Sequence, residues 1–169
     1  MAAEVIKVYR EHLPKLRLIG KMYSDKDRNA VGSFADKWDE WIHNGWFEEI
    51  GGLSVLPESY GAAYGMMRMS GNQLEYWIGM LFTENTEVPE GYSYADIAAG
   101  EVATCWIYGR DDNGELYGTL PHNMCMAKIA EEGWQLQDNT WCFERYDQVR
   151  FSSPDEKGNV ILDYGVYVK

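Results

Sequence analysis

Cysteine and histidine are both scarce. Cys105, Cys125 and Cys142 are odd in number and widely spaced, with no Cys-x-x-Cys pair, so a disulfide framework is excluded and reduced, buried thiols are expected. His12, His43 and His122 form no zinc pattern with them. His122 and Cys125 stand three apart and can share a helix face, but no third ligand accompanies them, so neither a metal nor a cofactor is expected. Positive charge is short as well: 15 Lys and Arg against 27 Asp and Glu leave a net charge of −12. Such a field repels phosphate backbones, which argues against direct nucleic-acid binding, and attracts cations. No cluster of basic residues suits an anionic membrane surface, and no apolar run approaches the ~20 residues of a membrane span. Glu4, Lys7, Arg10 and Glu11 interrupt the apolar residues near the N-terminus, so a secretion signal is absent and a cytoplasmic location is expected. Neither a Ser-His-Asp arrangement nor a phosphate-binding loop is present.

What is abundant is aromatic. Seven Trp and 12 Tyr exceed what a core of this size needs, which leaves some for a binding surface, although for any one of them core packing is the competing reading. The 169 residues suit a single domain, 1–169.

Along the chain, residues 1–14 read as a leader ending at Pro14, Leu16–Tyr23 as a strand and Ser24–Asn29 as a charged turn. Val31, Phe34, Ala35, Trp38, Trp41 and Ile42 then recur at three- and four-residue steps, the pattern of an amphipathic helix, stopped by Asn44-Gly45. Tyr60–Met69 and Gln73–Phe82 are strand-like, with a tight hairpin connection at Ser70-Gly71-Asn72. Tyr94–Ile97 and Glu101–Tyr108 follow, broken at Ala99-Gly100, where a bulge or kink is expected. After the turn Asp111-Asp112-Asn113-Gly114, a second helix carries Leu120, Met124, Ala127 and Ile129 or Ala130 on one face. Thr119 is its expected cap and Gly133 its stop. Trp141–Arg150 and Val160–Val168 are the last strands.

The pairs Gly45-Trp46 and Gly133-Trp134 stand at the same offset that carries Leu18–Gly20 onto Trp106–Tyr108, to within one residue of the glycine Gly109. Each half reads strand, helix, strand, strand. The expected fold is therefore α+β, a tandem β-α-β-β duplication with pseudo-repeats of about 14–83 and 92–169. It would form an antiparallel sheet with two helices and a central groove.

Several short motifs, taken in order, resemble the GyrI-like small-molecule-binding domains, which also serve as effector-binding domains of multidrug-responsive bacterial regulators. They are Tyr60-Gly61-Ala62-Ala63-Tyr64-Gly65; Leu74-Glu75-Tyr76-Trp77-Ile78-Gly79 with Val88-Pro89-Glu90-Gly91-Tyr92; Ala98-Ala99-Gly100-Glu101-Val102-Ala103; and Cys142-Phe143-Glu144-Arg145-Tyr146-Asp147. The resemblance spans about Pro14 to Lys169 and implies paired β-α-β-β (SHS2) units. It also implies a groove in which an acidic residue of a late strand, matching Glu144, faces cationic aromatic compounds. Some members are proposed to hydrolyse strained electrophiles with this glutamate, and one branch inhibits gyrase. No helix-turn-helix pattern precedes the matching region, so regulation of transcription by this chain alone is not expected.

Strand alternation puts Cys142, Glu144 and Tyr146 on one face and Phe143 and Arg145 on the other. A glutamate on an apolar face is costly to bury unless paired, which a cationic ligand or Arg68 would provide. The competing setting is a wet face, with Glu144 paired to Arg150 or Lys21. Tyr64 and Met66 share a strand face, Trp77 shares one with Glu75, and Trp106 stands two residues from both Thr104 and Tyr108. The ligand-binding set expected is thus Glu144, Tyr146, Trp106, Tyr108, Trp77, Tyr64 and Met66, with Trp38, Trp41, Trp46 and Trp134 assigned to the core. The expected function is a stand-alone protein that sequesters or senses hydrophobic, cationic small molecules. The alternatives are a hydrolase of strained or electrophilic compounds using Glu144 and Tyr146, and a protein-interaction module acting on a regulator or gyrase.

Overall fold

The structure, a computed structural model, describes residues 2–53, 62–138 and 140–169. The chain divides into two compact units: Pro14–Ala99, and Gly100–Lys169 joined by the N-terminal residues through Leu13. Tyr60 and Gly61 of the first motif, and the start of the strand expected there, lie outside the described residues.

In the unit Pro14–Ala99, which follows the N-terminal strand β1 (Glu4–Leu13), alternating apolar residues make four strands, β2 (Leu16–Tyr23), β3 (Ala63–Ser70), β4 (Gln73–Thr83) and β5 (Ser93–Ile97). Every pairing is antiparallel and the order is β3-β4-β2-β5, with the β3–β4 turn made at Gly71, whose φ is 64°. One sheet face carries Ile19, Tyr76, Ile78 and Phe82. It is covered by α1 (Ala35–Asn44) and α2 (Trp46–Gly51) through Trp41 and Ile50, with Trp38, Trp46 and Phe47 at the margin. Gly45, at φ 68°, ends α1 by donating its N–H to the carbonyls of Trp41 and Ile42. The chain then re-enters helix at once. Trp46 turns back so that its ring meets Trp41 edge-on at 5.5 Å. The indoles are also satisfied: Trp38 Nε1 donates to the Tyr76 hydroxyl at 2.9 Å and Trp41 Nε1 to the Tyr23 hydroxyl at 3.1 Å.

The first helix starts later than its apolar pattern suggests. Val31 precedes it and is 85% exposed, and Ile42 within it is 68% exposed. Asn29 Oδ1 accepts from the backbone N–H groups of Val31 and Ser33, and Ser33 Oγ from that of Ala35, which holds residues 29–33 in a turn.

The other unit contains β6 (Gly100–Arg110), α3 (Thr119–Glu132), β7 (Cys142–Tyr146), α4 (Gln148–Ser152) and β8 (Asn159–Val168). Its fourth strand is β1 (Glu4–Leu13), antiparallel to β6 from Glu4↔Tyr108 to Leu13↔Gly100 with a register shift between Val5 and Lys7. The order β7-β8-β6-β1 repeats β3-β4-β2-β5, with β1 in the place of β5. The expected leader is thus a strand. Its interleaved charges are strand alternation: Lys7, Tyr9 and Glu11 share one face, while Val5 and Val8 pack in the core. The break at Ala99-Gly100 is not a bulge within one ladder. It separates β5, paired to β2, from β6, paired to β1 and β8.

Two further expectations are corrected. The buried stripe of α3 is Pro121, Cys125 and Ile129, spaced by four, whereas Leu120 is exposed, as are Ala127 and Ala130; Gly118, not Thr119, occupies the cap position. The strand expected over Trp141–Arg150 stops at Tyr146, because the Asp147 carboxylate accepts from Val149 N and Arg150 N and starts α4.

The duplication extends to side chains. Tyr64 faces Gly79 across the β3–β4 ladder, and Phe143 faces Gly165 across β7–β8. Any Cβ on Gly165 would overlap the Phe143 ring, so the glycine is the slot into which that ring lies.

Candidate functional site

The short strand β7 presents Cys142, Glu144 and Tyr146 towards α3, and Phe143 and Arg145 towards the other face. The first group belongs with Cys125 and Ile129 of the helix, whereas Arg145 bonds to residues of β1 and β8. Glu144 is only 7% exposed. Its Oε2 accepts a hydrogen bond from the Tyr146 hydroxyl at 3.0 Å. Directly across the ladder is Tyr164, whose hydroxyl donates to Cys142 Sγ at 3.6 Å and lies 2.7 Å from His122 Nδ1 on α3. Phe151 of α4 closes one side, edge-on to Tyr146 at 4.8 Å.

Burial dominates the electrostatics of this cluster, and the Glu144 charge adds to it at three positions. Burial, then the charges of Asp111 and Glu144, push the Tyr117 hydroxyl up to about 12. Burial pushes the Cys142 thiol up to about 11, with Glu144 adding to it. Tyr164 is raised by burial, with Cys142 and Glu144 behind, and burial lowers His122. At neutral pH these side chains are uncharged, and three of them register the negative potential of one carboxylate. Among the described residues no group of three or more His, Cys, Asp or Glu is placed to hold a metal ion.

The remaining residues expected at the site fall elsewhere. Trp106 and Tyr108 are in the same unit as Glu144 but on the opposite sheet face. There Trp106 Nε1 donates to the Tyr9 hydroxyl at 3.3 Å, its ring lies under Lys7 Nζ at 4.4 Å and the Arg150 guanidinium at 4.6 Å, and the Tyr108 hydroxyl donates to Asp155. Tyr64, Met66 and Trp77 are buried in the unit Pro14–Ala99, on the face its helices do not cover. Trp77 Nε1 donates to Glu75 Oε1 at 3.1 Å, and Arg68 pairs with the same carboxylate at 3.3 Å. The alternative partners weighed for Glu144 are engaged in other ways: Arg150 with Asp163, and Lys21 with the Gly91 carbonyl.

Three members of the Glu144 cluster, Tyr117, His122 and Tyr164, were not foreseen. Neither was an ionic network on the opposite face. Arg145, 2% exposed, donates to Asp163 at 2.8 Å, to Glu11 at 3.0 Å and to the Tyr9 hydroxyl at 3.3 Å. Asp163, fully buried, also takes Arg150 at 2.8 Å, and Thr104 donates to Glu11 at 2.7 Å. Although burial works against it, the Arg145 hydrogen bonds and charge hold the Glu11 carboxyl below its ordinary value.

No family model matches the chain, and no curated protein matches it in sequence. Solved structures do match. A protein from Staphylococcus aureus MU50 described as a bacterial transcription regulation protein shares 13% identity over 96% of this chain and 98% of its own, with a TM-score of 0.70. SAV2435 bound to tetraphenylphosphonium shares 12% over 97% and 94%, with a TM-score of 0.72. The C-terminal domain of EcmrR shares 11% over 96% and 97%, with a TM-score of 0.60. The chain therefore has the fold of these proteins.

Proposed function

We propose that this protein binds small, hydrophobic organic cations, and that Glu144 is the residue that selects them. The observation that carries this reading is the Glu144 carboxylate, 7% exposed, accepting from the Tyr146 hydroxyl and standing opposite Tyr164 across the ladder, with its charge contributing at Tyr117, Cys142 and Tyr164. Each aromatic face that meets the cation contributes about 0.5–2 kcal/mol, and the carboxylate supplies the charge preference. That SAV2435, of the same fold, has been solved with tetraphenylphosphonium supports this ligand class. Among the described residues no helix is long and apolar enough to cross a membrane.

The test is titration with tetraphenylphosphonium, followed by calorimetry, beside an uncharged tetraphenyl compound of the same shape. Glu144→Gln is expected to weaken the cation by about 1–3 kcal/mol and to leave the neutral compound unaffected. Equal affinities of the wild type and Glu144→Gln for the cation would overturn the proposal. Disappearance of a strained or activated substrate over many turnovers, ended by the same substitution, would instead support hydrolysis.

A further inference from the structure

The row of side chains that crosses the helix-covered face of each sheet differs between the two units. In one, Cys105, Tyr164 and Glu144 stand opposite one another on β6, β8 and β7; in the other, the same row on β2, β4 and β3 is Lys21, Ile78 and Gly65. The carboxylate of one row has no counterpart in the other, and a lysine appears instead.

Lys21 is not simply a solvated surface charge. Its ammonium lies 4.4 Å from the centroid of the Trp46 ring and 4.8 Å from that of Tyr92, and it donates to the Gly91 carbonyl at 2.8 Å. Trp41, fully buried, backs both walls, 5.5 Å from Trp46 and 6.1 Å from Tyr92. A fourth negative feature stands beside Tyr92: together with burial, the Glu49 carboxylate drives the Tyr92 hydroxyl up to about 12. Two aromatic faces, a carbonyl oxygen and a nearby carboxylate are the groups that recognise an alkylammonium.

We infer that the Trp46–Tyr92 cage is a second site for alkylammonium groups, kept filled by the protein's own Lys21. This inference goes beyond the binding proposed at Glu144 and does not rest on it. A tethered ammonium acts at an effective concentration in the millimolar range, so free cations at micromolar concentration do not displace it. Lys21 thereby keeps this cage closed to external cations. Removing the lysine leaves the walls standing, because Trp41, Trp46 and Tyr92 hold one another in place without it.

The experiment follows the Trp46 indole N–H by NMR during titration with tetramethylammonium chloride, with sodium chloride as the control. In Lys21→Ala the resonance is expected to saturate at a concentration at least tenfold lower than in the wild type, and Lys21→Arg is expected to behave as the wild type. The same midpoint in Lys21→Ala and the wild type would overturn the inference. Should Lys21→Ala fail to fold, Lys21→Met keeps the length of the side chain without its charge and is read in the same way. A measurement on the wild type needs no variant: the Lys21 ε-methylene protons are expected upfield of the free-lysine position because of ring currents. Their appearance at the free-lysine position would also refute an occupied cage. Adding Glu144→Gln to Lys21→Ala is expected to leave the Trp46 response intact while weakening tetraphenylphosphonium binding. Loss of both responses would show that the cage is not a site of its own.

Discussion

The Tyr146 hydroxyl donates to the carboxylate of Glu144, its neighbour two residues back on the same face of β7. A short strand thereby carries both an acidic group and the donor that orients it. Tyr146→Phe is expected to destabilise the protein by about 1.5–3 kcal/mol, the range for a hydrogen bond to a charged group, measured from the urea midpoint. Glu144→Gln with Tyr146 retained is expected to cost less stability, because an amide oxygen still accepts from the hydroxyl.

Asp163 holds two arginines at once. Asp163→Ala leaves Arg145 and Arg150 without their shared carboxylate in the interior, and a loss of about 3–5 kcal/mol is expected in chemical denaturation. Asp163→Asn is expected to fall between this and the wild type.

Acid sensitivity has two expected windows. The Glu11 carboxyl is depressed in the folded state, so its contribution to stability is present above its unfolded pKa, about 4.3, and is lost as pH falls through the folded value. His122 is likewise depressed, by burial, so the folded state favours its neutral form. Stability then rises with pH up to about 6.5, the unfolded value, and is complete above it. Glu11→Gln is expected to flatten the lower window and His122→Gln the upper one, each read from melting temperature against pH.

Gly165→Ala is expected to cost about 1–3 kcal/mol, since the new methyl occupies the space of the Phe143 ring. Phe143→Leu in the same chain is expected to recover part of that loss. A simple sum of the two single-variant losses would show that the residues do not share one slot.

Deleting residues 2–13 is expected to expose the β6 edge and to convert the protein into an aggregating species, read by size-exclusion chromatography. A removable leader would leave a well-behaved monodisperse product.

Much of this was legible where the information is local. Period-2 alternation placed Glu144 with Tyr146, and the glycine stops at Gly45 and Gly133 fixed both long helices at their C-terminal ends. The choice of covered face was not legible on β6. Cys105 and Ile107 alternate with Trp106 and Tyr108, and both sets look fit for a core, so only packing against α3 decides which is inside. Tyr164 and His122 join Glu144 through cross-strand register and helix placement, which no spacing within one segment reports. The strand β1 pairs with a segment that follows the entire unit Pro14–Ala99, so its role could not be read from its neighbours. Asp147 did carry a helix-start signal, outweighed by the alternation running into it.

That long-range pairing has a consequence for synthesis. The strand Glu4–Leu13 leaves the ribosome before its partner β6, which is translated only after all of Pro14–Ala99. At about 5–20 residues per second the wait is roughly 4–17 s, longer than a small domain needs to form. The unit Pro14–Ala99 can finish folding on the ribosome while its predecessor strand remains single, an unpaired edge to be chaperoned until its partner emerges.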